Sequence, residues 1–127
     1  MKPIRYKSRN GGVIFVLLLL ALLALGVGGC AYSGIQVIPL SNRNVLALSP
    51  DDVVHVMRRA GFSDRQILEH GVDLRNGLAQ YGAVQIKVNR KLEAVFAINR
   101  DHGDCVYIST RLRGNFIYNV SKGWVGG

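Results

Sequence analysis

Cysteine and histidine are scarce in this 127-residue chain, which contains two cysteines and three histidines. None of them falls in a CxxC, HxxxH or HExxH spacing, so the sequence has no recognisable zinc or metalloprotease pattern. A glycine-rich phosphate loop, a GxSxG nucleophile elbow, internal repeats and low-complexity segments are also missing. The chain therefore carries no standard catalytic signature, and its length allows one small domain.

Acidic side chains are few as well, with eight Asp and Glu against sixteen Lys and Arg and a formal net charge of +8. Four of the basic residues lie within the first nine positions. Residues 31–82 hold five charges of each sign, whereas residues 83–127 hold seven basic and three acidic side chains. A basic bias of this size suits contact with anionic lipid or another polyanion, and it is also typical of an ordinary solvated surface.

The first 29 residues have the layout of an export signal. The basic start, MKPIRYKSRN, precedes an uninterrupted apolar run over residues 13–27. A helix of that length would span about 22 Å, which is less than a hydrocarbon core of about 30 Å. We therefore expect cleavage, and the alternative is a retained anchor helix from about Val13 to Gly29. Both place the following domain outside the cytoplasm.

Residues 27–30, with the sequence VGGC, resemble the lipobox of bacterial lipoprotein signal peptides. The resemblance covers residues 1–30 only. It implies cleavage between Gly29 and Cys30, a diacylglycerol on the Cys30 sulfur and often an acyl chain such as palmitate on the new amino group. These lipids would hold the protein at a membrane of the cell envelope. Gly26 stands where the family usually has leucine. Because Ala31 rather than aspartate follows the cysteine, the resemblance favours the outer membrane in a cell with two membranes.

The mature chain begins with residues 30–48, which we interpret as a tether or, over Ile35–Leu40, as an edge strand, because Pro39 suits only an edge. Residues 49–82 predict three short helices. A Ser-Pro start at residues 49–50 and a capping box at residues 63–66 begin the first two. We expect Gly71 to end the second helix, and an N-cap at residue 73 to start the third.

Residues 83–120 change to a period of two and predict four consecutive antiparallel strands. The sequence NRK at residues 89–91 is one expected turn, and residues 99–104 are another. The expected fold class is α+β, with three short N-terminal helices packed on a four-stranded antiparallel meander in one domain over residues 49–127.

The sequence DHGDC at residues 101–105 contains the residue types of a cysteine nucleophile and its base. A small envelope enzyme that uses Cys105 and His102 is therefore the alternative function. Such groups normally converge from different elements, however, so Cys105 is also readily explained as a small buried hydrophobe. Asp101, His102 and Asp104 could bind a metal, but a solvated turn accounts for them equally. We expect no metal and no cofactor.

A candidate binding surface consists of Arg90, Lys91, Arg111, Arg113 and Trp124, because arginines beside aromatic rings suit a polyanion, a glycan or a lipid headgroup. The alternative is that these charges only protect strand ends. Residues 63–81 also fit a helix-turn-helix, yet the export signal argues against nucleic acid as a partner. The sequence thus predicts a lipid-anchored envelope protein that acts as a binding or structural module and not as an enzyme.

Overall fold

The computed structural model describes residues 34–126. Its architecture is α+β, with two helices packed on a six-stranded antiparallel sheet. The elements are β1 (Ile35–Ser41), α1 (Pro50–Arg59), α2 (Asp64–Gln80), β2 (Gly82–Val88), β3 (Lys91–Asn99), β4 (Cys105–Thr110), β5 (Asn115–Asn119) and β6 (Gly123–Trp124). The described residues divide into a larger unit, residues 37–86 and 92–126, and a smaller unit, residues 34–36 and 87–91.

The smaller unit contains the predicted turn between β2 and β3. Asn89 and Arg90 adopt positive φ angles of 52° and 70°. Two successive left-handed residues are typical of the tight hairpin turn whose twist matches that of the flanking strands. The Asn89 amide donates to the carbonyl of Gly34 at 3.2 Å.

The sheet follows chain order, so each strand pairs with the next one along the chain. The register places Phe96 opposite Ile108, and Ile108 opposite Phe116. Alternate residues of the central strands are buried, as the period of two predicts. The largest fully buried side chains are Phe96, Leu48, Met57, Leu74, Leu78, Ile86, Ile98, Ile108, Val56, Val84 and Val106.

Six strands replace the four that the sequence predicts, because one strand is added at each edge. β1 lies at one edge, as in the second of the two interpretations that the sequence allows for residues 35–40. β6 has only two residues, too few for any alternation to be visible. It forms because the Asn119 side chain accepts from the amides of Ser121 and Lys122, both at 2.9 Å, and this turn brings Trp124 opposite Tyr118.

Local capping explains where both helices begin. The Ser49 hydroxyl accepts from the amide of Asp52 at 3.1 Å. In the predicted capping box, Ser63 accepts from the Gln66 amide at 3.1 Å, and the Gln66 side chain accepts from the Ser63 amide at 2.8 Å. Each contact satisfies a backbone donor that the helix itself leaves free.

The prediction of three helices is wrong, because α2 continues through Gly71 to Gln80. A glycine inside a helix costs about 1 kcal/mol relative to alanine. Gly71 is buried, however, and a Cβ there would lie 3.3 Å from the Val53 side chain of α1. The glycine thus lets α1 pack closely on α2, and the residue expected to cap a third helix, Asp73, lies inside the second.

Gly77 has the same role against the sheet. A Cβ at this position would lie 2.5 Å from the Val84 side chain of β2. Because that separation is well inside van der Waals contact, only glycine allows α2 to approach β2 this closely.

Candidate functional site

The exposed side of α1 carries three basic side chains. His55, Arg58 and Arg59 lie at positions i, i+3 and i+4, which share one face of a helix, and all three are exposed. Both arginines are in the last turn, where the helix dipole stabilises positive charge. This face therefore concentrates cationic groups at the C-terminal end of α1.

β5 and β6 bring aromatic rings to the same place. Phe116 and Tyr118 are two residues apart on β5 and so share a face of the sheet. Trp124 of β6 lies edge-on to both rings, with centroid distances of 4.9 Å to Tyr118 and 6.3 Å to Phe116. Edge-to-face contacts of this kind fix the relative orientation of the rings.

Arg59 joins the basic face to the aromatic rings. Its guanidinium carbon lies 4.4 Å from the Phe116 centroid and 4.8 Å from the Trp124 centroid, within cation–π distance of both. Among residues 34–126 no carboxylate pairs with Arg59, in contrast to Arg58, which pairs with Asp64 at 3.0 Å. The Arg59 guanidinium is thus oriented by the rings, while its N–H donors have no acidic partner in the described chain.

Tyr118 is fixed by a hydrogen bond to α1. Its hydroxyl donates to Asp52 Oδ1 at 2.8 Å, and only 6 % of the residue is exposed. Burial, then the hydrogen bond to Asp52, then the negative charges of Asp52 and Asp51 raise the pKa of Tyr118 from 10.0 to about 12. The hydroxyl is therefore protonated at physiological pH and holds Asp52 as an acceptor. The His55 ring lies 6.0 Å from the Tyr118 ring.

These groups form a cationic aromatic cleft, lined by His55, Arg58, Arg59 and Trp124, with a volume of about 280 Å³. Three of its four lining residues, two arginines and a histidine, have side chains that can donate hydrogen bonds to an anion. The fourth, Trp124, contributes its indole ring. Such a cleft can accept an anion through charge-assisted hydrogen bonds and an apolar or sugar surface against the ring.

A second concavity, of about 350 Å³, lies on the face of the sheet opposite the helices. Its lining includes Val95, Ala97, Tyr107 and Ile117, which alternate with the buried positions of their strands. None of its lining residues is charged. The concavity contains the aromatic rings of Tyr107 and Phe116, so the cleft differs from it in carrying basic side chains.

The residues of the predicted binding surface have different neighbours in the structure. Trp124 lies in the cleft, whereas Arg111 pairs with Glu93 at 3.0 Å. The Arg113 side chain packs against Gly61, two residues after the end of α1. Arg90 and Lys91 belong to the smaller unit. Cys30 and Gly29, the predicted lipidation and cleavage residues, lie outside the described residues.

Sequence reasoning missed His55, Arg58 and Arg59. Their helical spacing was visible, but nothing local indicates which helix face will meet aromatic rings. The signal that could have found them is the pair of alternating aromatics, Phe116 and Tyr118, followed by Trp124 after a short turn.

The DHGDC segment does not form a visible catalytic pair. Cys105 is buried with 8 % exposure, and Asn119 Nδ2 donates weakly to its sulfur at 3.6 Å. His102 is exposed in the preceding turn and shares no hydrogen bond with Cys105 in the described chain. The envelope enzyme stays a prediction, and no contact between these two side chains supports it.

The acidic residues of that segment are paired with arginines. Asp101 accepts two hydrogen bonds from Arg43, at 2.9 and 3.2 Å, and Asp104 accepts one from Arg100 at 2.9 Å. Within residues 34–126, no three His, Cys, Asp or Glu side chains come together as a metal site.

Within the same residues, no helix has the length and apolar character needed to cross a membrane. When the chain was compared with known proteins, no family model, curated protein or solved structure matched it.

Proposed function

We propose that this chain is a lipid-anchored protein of the bacterial cell envelope whose folded part is a binding module for an anionic ligand. The sequence of residues 1–30 supports the envelope location, because a basic start, a short apolar run and VGGC together resemble a lipoprotein signal. The cationic aromatic cleft supports the binding role.

One observation carries the proposed ligand class. The Arg59 guanidinium stacks on Phe116 and Trp124 without an acidic partner in the described chain. By contrast, Arg58, Arg65 and Arg111 each pair with a carboxylate. Because its planar face is occupied by the rings, its N–H edge is left to bind an anion, and a phosphate or carboxylate matches that geometry.

The volume of the cleft limits the size of the ligand that it can hold. Small-molecule sites usually have volumes of about 300–1,000 Å³, and this cleft, at about 280 Å³, is slightly smaller than that range. It therefore suits a small anion such as a sugar phosphate, or the charged end of a larger molecule. Trp124 can stack on the apolar face of a sugar ring attached to the anion.

The test is binding of inorganic phosphate and glucose 6-phosphate to the purified full chain in detergent, measured by titration calorimetry. We expect both to bind and glucose not to bind. Arg59→Gln should weaken binding at least about tenfold, because a hydrogen bond to a charged group is worth about 1.5–3 kcal/mol.

The matched control is Arg65→Gln. Arg65 is an exposed arginine on α2 that pairs with Glu69 at 3.1 Å, and it does not line the cleft. This variant should bind the phosphates like the unmodified chain. Equal affinities for the Arg59 and Arg65 variants, or no binding to the unmodified chain, would contradict the proposal.

A further inference from the structure

The turn between β4 and β5 presents an exposed leucine between two arginines. Leu112 is 72 % exposed and lies between Arg111 and Arg113. The Thr110 hydroxyl donates to the Gly114 carbonyl at 2.7 Å and accepts from the Arg113 amide at 2.8 Å. The turn is therefore closed by its own hydrogen bonds, and the leucine is held outward. We name residues 110–114 the basic tip.

The surroundings of the basic tip add a second exposed leucine, pair Arg111 with Glu93 and leave Arg113 without a carboxylate in the described chain. The Arg111 amide donates to the carbonyl of Glu93 at 2.9 Å, which places the tip beside the start of β3. There Leu92 is a second exposed leucine, with 43 % exposure. No carboxylate in the described chain pairs with Arg113, whose side chain packs on Gly61.

Sheet topology shows which strands start at this end of the larger unit. In an antiparallel sheet with strands in chain order, β1 and β3 run in the same direction, so both start at the same end. β1 enters the larger unit at Val37. Val37 is seven positions after Cys30, and a fully extended chain over seven positions reaches at most about 25 Å.

We propose that the basic tip contacts the surface of an anionic lipid bilayer, with Leu112 in the headgroup region and Arg113 beside lipid phosphates. This inference rests on the proposed envelope location, in which residues before Cys30 or acyl chains on it hold the protein at a membrane. Exposed leucines flanked by arginines match such a surface in both hydrophobicity and charge. The contact is weak by itself and becomes populated because the tether keeps the tip close to the bilayer.

The basic tip contact is tested with the full chain, purified in detergent and reconstituted into vesicles. Because the chain has one tryptophan, Trp124→Phe gives a background in which Leu112→Trp reports on the tip alone. The vesicles are either phosphatidylcholine or an equal mixture of phosphatidylcholine and phosphatidylglycerol, each with a brominated lipid that quenches tryptophan in the bilayer.

The control reporter is Tyr81→Trp in the same background. Tyr81 is 45 % exposed and precedes β2, which starts at the opposite end of the sheet from β3. In the anionic vesicles we expect quenching at position 112 to be at least about twofold stronger than at position 81, with emission shifted to shorter wavelength. Adding Arg113→Gln should remove the difference between anionic and neutral vesicles.

Equal quenching at positions 112 and 81 would overturn the proposal. A blue shift at position 112 that depends on protein concentration and not on brominated lipid would identify a second copy of the chain as the occupant, and would also overturn it. Circular dichroism of both reporters checks that the fold is intact. Failure of phosphate binding in detergent refutes the cleft without affecting this readout, so the two proposals fail separately.

Discussion

At the scale of single residues, the cleft depends on the hydrogen bond between Tyr118 and Asp52. This bond links the strand that carries the rings to the helix that carries the basic face. It explains why a tyrosine rather than a phenylalanine suits this position, since a buried hydroxyl needs a partner and Asp52 supplies it.

We predict that Tyr118 ionises near pH 12, about two units above an ordinary tyrosine. Because the pKa is raised in the folded state, its contribution to the free energy of unfolding is present below pH 10 and is lost as the pH rises to about 12. The measurement is a spectrophotometric titration of tyrosinate in the unmodified chain and in Tyr118→Phe. The difference between the two curves isolates this one group.

Asp52→Asn provides the accompanying variant. It removes the negative charge but keeps a side-chain acceptor, so the pKa of Tyr118 should fall part of the way back, with burial still holding it above 10. Asp64→Asn, which alters an exposed carboxylate paired with Arg58, is the control and should leave the titration unchanged. A Tyr118 that titrates at pH 10 in the unmodified chain would refute this account.

Sequence reasoning identified only part of the cleft at this scale. Trp124 was selected because it is an aromatic residue in a basic region. Arg59 was not, because its significance comes from rings that lie 57 and 65 positions later in the chain. Contacts over such separations depend on tertiary packing, which local patterns do not encode.

At the scale of elements, glycines set how closely α2 packs. We predict that Gly77→Ala lowers the free energy of unfolding by about 1–3 kcal/mol, because the new methyl group would overlap the Val84 side chain. The gain in helix propensity, about 1 kcal/mol, opposes this loss. Urea unfolding followed by circular dichroism measures the net effect.

Val84→Ala tests whether overlap with the Val84 side chain is the cause of the destabilisation by Gly77→Ala. Alone it should destabilise the fold by leaving a cavity, but combined with Gly77→Ala it should cost less than the sum of the two single changes. Strict additivity, or a Gly77→Ala variant more stable than the unmodified chain, would show that the approach of α2 to β2 does not require glycine.

The starts and ends of the elements differ in how far the sequence predicts them. The starts of the two observed helices were predicted correctly, because Ser49 and Ser63 act through neighbouring backbone groups, whereas the start expected at Asp73 was wrong. The expected stop at Gly71 was wrong, because a glycine that ends a helix and one that admits a neighbouring helix look alike in sequence. The short strand β6 escaped detection, since its formation depends on the turn held by Asn119.

At the scale of the whole molecule, the α+β class followed from a helical period before residue 82 and a period of two after it. The number of strands did not, because the sequence left Ile35–Leu40 open between a tether and an edge strand, and because β6 has only two residues. The proposed function depends on attachment to a membrane, which the resemblance of residues 1–30 to a lipoprotein signal implies.

We predict that the protein extracted from membranes begins at Cys30 and carries acyl chains. The intact mass should equal that of residues 30–127 plus lipid, because a run of 15 apolar residues is too short to span a bilayer comfortably. Cys30→Ser should abolish both the added mass and the cleavage. A mass corresponding to all 127 residues would instead establish a retained anchor helix.

The most direct test of the central claim uses the fluorescence of Trp124, the single tryptophan of the chain and a residue that lines the cleft. Addition of glucose 6-phosphate to the full chain in detergent should change its emission along a saturable curve, and glucose should leave it unchanged. If the emission does not respond to the phosphate at any concentration up to about 1 mM, where binding would be worth only about 4 kcal/mol, the cleft is not an anion-binding site.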